Sequence, residues 1–167
     1  NEGQSLALRQ GVRVYGGFAV GDGSRSDRDP NPETNGTVIE GTAATSGDEV
    51  RVSVIVGASG ARLDGFTIRG GRAENGAGMW NNGTSPQIAN CRFVDNWAIA
   101  TTLAQGNGGA IFNGNGATPI ITNCTFVNNR ADMSGGAITN LKRANAIITG
   151  CTFRENTGHT GGALHNS

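Results

Sequence analysis

No run of apolar residues in this 167-residue chain approaches the ~20 that a helix needs to cross a bilayer, so nothing in it reads as a membrane span. Net charge is missing as well, because 13 Lys and Arg offset 13 Asp and Glu. A phosphate-driven nucleic-acid partner therefore has no electrostatic support. Leucine is confined to Leu6, Leu8, Leu63, Leu103, Leu141 and Leu164, too few for a leucine-rich repeat, which uses several per unit. Long segments of 3.6-residue periodicity are absent, and that excludes paired-helix repeats. The cysteines are only three, Cys91, Cys124 and Cys151, spaced by 33 and 27 residues. Zinc ligands come in pairs about two to four residues apart, so no zinc site is expected. No other metal centre and no cofactor is read from the chain. The expectation for the thiols is burial as small hydrophobes, since three in one column leave one without a partner for a disulfide.

What is present is a repeat. Phe126-Val127-Asn128-Asn129 leads to Gly135-Gly136-Ala137-Ile138. Phe93-Val94-Asp95-Asn96 leads to Gly108-Gly109-Ala110-Ile111, and Phe153-Arg154-Glu155-Asn156 leads to Gly161-Gly162-Ala163-Leu164. A degenerate copy runs from Ile68-Arg69-Gly70-Gly71 to Gly76-Ala77-Gly78-Met79. A cysteine stands two residues before each phenylalanine of the three regular copies. A period of about 20–50 residues marks a solenoid, propeller or array, in which each unit buries its apolar face against its neighbours.

Within a unit the apolar runs are short and alternate with period two: Pro119-Ile120-Ile121-Thr122, Cys124-Thr125-Phe126-Val127 and Ala137-Ile138-Thr139. Three such strands in ~27 residues make one coil of a right-handed parallel β-helix, whereas a propeller blade needs ~40 residues. Stacking at the ~4.8 Å strand spacing then predicts inward columns. These are Leu63-Ile88-Ile121-Ile148, Phe66-Cys91-Cys124-Cys151, Ile68-Phe93-Phe126-Phe153 and Met79-Ile111-Ile138-Leu164. Asn96, Asn129 and Asn156 should form an amide ladder at a bend, with the paired glycines opening the next one. The first third is less regular, with strands expected at Gly11–Phe18, Thr37–Gly41 and Val50–Val56. The expectation is all-β: one β-helix domain over 1–167 with about five to six coils, roughly 25–30 Å tall. It carries a polar excursion at 20–36 and a longer loop at 97–107. The 28 glycines and 16% charged residues suit such a turn-rich solenoid rather than a disordered chain, because the apolar positions are periodic.

The paired motifs resemble the G-G-A-I and F-x-x-N repeats of the chlamydial polymorphic outer-membrane proteins, whose passenger regions are β-helical surface adhesins. Two G-G-A-I copies and three F-x-x-N copies match without substitution, and Leu164 makes a close variant. The opening Val12-Arg13-Val14-Tyr15-Gly16-Gly17-Phe18, with Ser24-Arg25-Ser26-Asp27-Arg28-Asp29-Pro30, is similar to the start of β-helical domains in large secreted surface proteins of environmental bacteria. The resemblance implies a β-helix in an extracellular, cell-surface setting. Its motifs mark packing positions and bring no catalytic residue with them. No autotransporter barrel lies in these residues, so chlamydial origin does not follow.

Several side chains invite a chemical reading. Asp95, Asn128 and Glu155 share one outward column above Gly70, with Asp95 and Glu155 ~9–10 Å apart over two coils, at the long edge of an inverting glycosidase's carboxylate separation. A solvated strand face explains them as well. Arg69, Arg130 and Arg154 stand singly, without the acidic cluster that lyase chemistry wants. His159 and His165 read as exposed turn residues. Asp22, Asp27, Asp29 and Glu33 supply oxygen ligands of the kind calcium takes, but Arg25 and Arg28 between them favour a salt-bridged loop. Trp80 and Phe112, each following an inward residue, predict an exposed aromatic strip for a sugar ring or a neighbouring protein, unless Trp97 and the 98–106 insertion fold over it.

The sequence thus favours a non-catalytic structural or adhesive module of a bacterial surface protein, with a carbohydrate-binding or polysaccharide-cleaving β-helix as the competing reading. Its partners would be other copies of itself or flanking coils, and cell-surface glycans or proteins. Methionine does not stand at position 1, so a preceding segment is expected to be missing. The last residues stop partway through a coil without a capping helix. Leu6, Leu8, Val12 and Val14 at one end are expected to continue the ladder left open by Ala163 and Leu164 at the other, so that copies stack end to end into filaments unless further chain covers the ends.

Overall fold

The computed structural model describes residues 4–41 and 52–167, and within them it is a right-handed parallel β-helix. The described strands form four parallel sheets of six, five, five and four strands. Sheet I holds Leu6–Ala7, Ile55–Val56, Met79–Asn82, Ile111–Gly114, Ile138–Asn140 and Leu164–Asn166. Sheet II holds Arg13–Tyr15, Arg62–Asp64, Gln87–Ala89, Ile120–Thr122 and Ile147–Thr149. Sheet III holds Val38–Glu40, Thr67–Arg69, Arg92–Val94, Thr125–Val127 and Thr152–Arg154. Sheet IV holds Arg72–Ala73, Trp97–Ala98, Arg130–Ser134 and Thr157–Thr160. The chain visits the sheets in the order I to IV, so sheet I opens a new coil six times, in agreement with about five to six coils.

The fourth sheet departs from the three strands per coil expected from sequence. Its inward residues are Ala73, Ala98, Ala131 and Gly158, too small to write an apolar signal into the sequence. Trp97 accordingly belongs to a strand, and the longer loop starts after Ala98. Val50 and Arg51 of the expected strand at 50–56 lie outside the described residues, and the strand observed there is Ile55–Val56.

Every inward column is formed, and the register explains each. Val14, Leu63, Ile88, Ile121 and Ile148 pair in sequence down sheet II. Ile39, Ile68, Phe93, Phe126 and Phe153 do so in sheet III, and Leu6, Ile55, Met79, Ile111, Ile138 and Leu164 in sheet I. The phenylalanine rings lie nearly parallel, with centroids 5.2 Å and 4.9 Å apart. Phe93 and Phe126 are fully buried, each worth about 1.5–3 kcal/mol of transfer free energy.

Polar ladders hold the corners. Asn96 Nδ2 donates to Asn129 Oδ1 at 3.0 Å and to the Ile68 carbonyl at 3.2 Å. Asn129 Nδ2 repeats the pattern toward Asn156 and Phe93, and each Oδ1 also accepts the backbone N–H of the preceding rung. A second ladder, which the sequence pattern does not announce, runs Asn81-Asn113-Asn140-Asn166 along the third position of the last four sheet I strands. Within the ladders a buried amide so paired adds cohesion without the cost of an unpaired polar group, and only the end of the second ladder departs from this, where Asn81 Oδ1 is buried without a partner.

The glycine pair ahead of sheet I is fixed by both conformation and space. Gly135 takes φ of +62°, and an added Cβ there would stand 2.3 Å from the Ile138 carbonyl oxygen. Gly136 has no such torsion, yet its Cβ would come within 2.1 Å of the Gly162 carbonyl oxygen on the next coil. The first glycine makes the turn, and the second lets adjacent coils touch.

Between sheets II and III of the first coil, the polar excursion packs back on the barrel instead of leaving it. Asp29 donates its N–H to the Gly17 carbonyl, Asn35 Nδ2 donates to Gly65 O, and Thr67 Oγ1 donates to Pro32 O. Arg28 reaches Asp64 of sheet II at 2.8 Å.

Candidate functional site

The residues singled out from sequence do not converge. Asp95, Asn128 and Glu155 do share a column, but each is the corner residue between sheets III and IV, with φ of 55°, 52° and 55°, and Gly70 fills the same place at 68°. Asp95 Oδ1 accepts the Asn128 amide at 2.6 Å. These positions select residues that tolerate the left-handed region, which accounts for Asp and Asn there without chemistry. His159 is exposed in sheet IV and His165 half-buried in sheet I, on different sheets.

Trp80 and Phe112 are in register on the outer side of sheet I, as expected. They do not form an exposed strip, because Phe112 is only 8% accessible. Backbone covers it: a Cβ on Gly114 would lie 2.7 Å from the ring, and one on Gly76 would lie 2.9 Å from Phe112 Cβ. Trp97 does not lie over Trp80. It stands on sheet IV, its ring between the guanidiniums of Arg72 and Arg130 at 4.9 Å and 4.3 Å, and its Nε1 donates to Asp132 Oδ1 at 2.9 Å. Arg130 is therefore part of a stacked column and not a lone cation.

The terminal residues also sort differently from the expectation. Leu8 is buried in the core cluster, whereas Leu6 and Leu164 are exposed at opposite edges of sheet I, in one column. Ala163, half-buried, immediately precedes that last strand. Val12 and Val14 belong at the edge of sheet II, whose far edge is Ile147–Thr149 and not Ala163-Leu164.

In the excursion the acids are engaged with their own turns. Asp22 Oδ2 accepts Ala19 N–H, Asp27 Oδ2 accepts Gly23 and Ser24 N–H, and Asp29 Oδ1 accepts Asn31 N–H. Those bonds, led by the side-chain contacts with Ser24 and with Thr34, hold Asp27 and Asp29 below the usual carboxylate range. The salt bridge expected of this loop runs from Arg28 to Asp64 of sheet II, while the loop's own acids close turns. Among the described residues, no three His, Cys, Asp or Glu are grouped to hold a metal ion.

What the fold does bring together is a group of arginines that sequence reasoning did not assemble. Arg13, Tyr15, Arg62, Asp64 and Gln87 of sheet II, with Arg25 and Arg28 of the excursion, line an open groove of about 340 Å³. Arg25 and Arg28 both lie against the Tyr15 ring, at 5.2 Å and 5.1 Å from its centroid, and Arg25 Nη1 donates to the phenol oxygen at 3.0 Å. Asp64, 2% accessible, takes Arg28 on Oδ1 and Arg62 on Oδ2, at 2.8 Å and 2.6 Å. Burial alone would raise its carboxyl, but the bonds from Asn90, Arg28 and Arg62 outweigh that and hold it below the usual range. Arg62 Nη1 also reaches Gln87 Oε1 at 3.2 Å. Arg13 is exposed, and its guanidinium has no hydrogen-bonding or ion-pair partner among the described residues.

The cysteine column is assembled as expected. Cys91 and Cys124 are buried, Cys151 is half-buried, and all three are free thiols. The Cys151 and Cys91 thiols, together with burial, hold Cys124 well above the ordinary thiol range.

No curated protein and no solved structure matches the chain in a search by similarity. Residues 123–140, the stretch containing Phe126-Val127-Asn128-Asn129 and Gly135-Gly136-Ala137-Ile138, match the family described as the Chlamydia polymorphic membrane protein repeat. The matched stretch thus includes a sheet-III phenylalanine, its corner asparagine and the paired glycines that open the next coil.

Proposed function

We propose that this chain is a non-catalytic, extracellular module of a bacterial surface protein, structural or adhesive in role. The observation that carries the reading is the fate of the best catalytic candidates. Asp95 and Glu155 occupy turn positions at positive φ, and the hydrogen-bond partner that Asp95 has among the described residues is the Asn128 amide, neither an acid nor a base. The regular residues of the repeat are spent on core columns, amide ladders and close coil contacts. The match of residues 123–140 to a membrane-protein repeat supports a surface location.

Assembly belongs to the same reading. Leu6–Ala7 and Leu164–Asn166 bound sheet I at its two ends, and Arg13–Tyr15 and Ile147–Thr149 bound sheet II. A copy docked head to tail would extend each sheet with its own counterpart, and flanking coils would do the same within one chain. Incubation with pectin and other acidic polysaccharides, followed by a reducing-end and unsaturated-product assay, tests the absence of catalysis. Steady product release that disappears in Asp95→Ala or Glu155→Ala overturns it. Sedimentation at micromolar concentration tests assembly, and a monomer whose terminal strands resist hydrogen exchange rules that part out.

A further inference from the structure

We propose that the arginine groove on sheet II is a binding site for the oxyanions of an acidic polysaccharide, carboxylate or sulfate. The proposal deepens the adhesive reading above by naming the ligand class. Its basis is a local imbalance of charge. Four guanidiniums and one carboxylate line the groove, a surplus of three positive charges on a chain whose formal charge is zero. Asp64, the single acid of the lining, is already shared between Arg28 and Arg62. The nearby acids of the excursion, Asp22, Asp27 and Asp29, close their own turns.

The cations are also placed and partly preorganised. Arg13 and Arg62 are register partners on adjacent strands, so both project outward from sheet II about one strand spacing apart. Arg25 is held from the other side by the Tyr15 ring and hydroxyl, contacts that satisfy one of its five donors and leave the rest. A planar guanidinium donates two parallel bonds to a carboxylate or sulfate, and a fixed one loses less entropy in doing so. Half-buried Arg28 is a positioning residue: it ties the excursion to Asp64 and so sets where Arg25 stands.

The lining chooses among anionic partners. It is polar almost throughout, and the Tyr15 ring is occupied by two arginines. An acidic peptide would find no apolar pocket for its side chains, and three surplus charges are a small footprint for a nucleic acid. A hydroxyl-rich chain with regularly spaced anions suits such a groove, with the Gln87 amide N–H left to donate to a hydroxyl while its Oε1 holds Arg62.

The test is titration of the labelled chain at low salt with four probes: an oligogalacturonate, a sulfated dextran oligomer, neutral maltohexaose and polyglutamate, with phosphatidylserine vesicles as a fifth. The expected result is saturable binding of the galacturonate, the sulfated oligomer or both, weakening with added salt, and none of maltohexaose. Arg13→Gln combined with Arg25→Gln should weaken that binding about tenfold or more, while Lys142→Gln with Arg143→Gln on a distant turn leaves it unchanged. Thermal melting confirms that both variants fold, since the Arg28–Asp64 pair is untouched. No binding of either acidic sugar, binding indifferent to Arg13 and Arg25, or binding of polyglutamate or vesicles in their place overturns the proposal. Product analysis on the same mixtures separates the two readings. Binding with cleavage would refute the non-catalytic function and leave the groove standing, and absence of binding would do the reverse.

Discussion

Asn129 Oδ1 accepts two hydrogen bonds from Asn96, one from its backbone N–H at 3.2 Å and one from its side-chain amide at 3.0 Å. Asn129 in turn donates to Phe93 O and to Asn156. Replacing Asn129 with Ala strips the buried Asn96 N–H of its side-chain acceptor and takes one bond each from the Asn96 amide, the Phe93 carbonyl and Asn156 Oδ1, on the two adjoining coils; a buried group left unpaired costs about 1–3 kcal/mol. Asn129→Ala should therefore lower the urea midpoint far more than Asn128→Ala, whose side chain is exposed. Equal effects of the two would show that the ladder adds nothing.

Phe126 is fully buried between two rings, whereas Phe153 is half-buried with one ring neighbour. Phe126→Ala is expected to cost about 3–5 kcal/mol, the range for emptying a large core site, and Phe153→Ala clearly less. Chemical denaturation of the two variants gives the comparison directly.

The two glycine requirements separate by mutation. Gly116→Ala meets open space and carries only the torsional strain of φ +75°, about 1–2 kcal/mol. Gly136→Ala meets the backbone of the adjacent coil at 2.1 Å and should disrupt stacking outright. Thermal melts should rank them in that order despite the ordinary torsion at Gly136.

Acid should loosen the excursion through Asp64. Its folded carboxyl lies below the ordinary 3.8, so the stabilisation it supplies is complete above that value and is lost as pH falls through the lower folded value. Urea midpoints measured downward from about pH 5 should fall in the native chain, and fall less steeply in Asp64→Asn, which has no such proton to take up.

The thiols should react unequally. Cys151 is half-buried, and the hydrogen bond from the Cys124 thiol pulls it down to about 7, while Cys91 and Cys124 are buried. Iodoacetamide should label Cys151 first, at a rate rising through about pH 7. Mass mapping that finds Cys91 modified as fast would contradict the burial order.

What the sequence discloses and what it hides follow from side-chain size and chain distance. Phe, Ile and Met alternate visibly, so their three columns are legible from spacing alone. The alanines of sheet IV pack as faithfully but carry no comparable signal, and the whole sheet is hidden in the sequence. Asn81, Asn113 and Asn140 follow an inward residue by two and so point inward themselves, a consequence of the period that polarity obscures. The arginine groove is beyond such reasoning, because Arg28 and Asp64 meet across 36 residues of separation through an irregular segment.

Asn96 and Asn129 are 33 residues apart and Asn129 and Asn156 are 27, yet both pairs hydrogen-bond alike. The extra length leaves between Ala98 and Asn107, where Asp132 Oδ2 accepts Ala100 N–H and Glu74 accepts Thr101 Oγ1. The corner between sheets IV and I therefore works as a socket: chain can be spliced in there, clipped to its neighbours above and below, with no coil beyond it losing register. Diversity in such a rod accumulates sideways, at one edge, while its length and pitch stay constant.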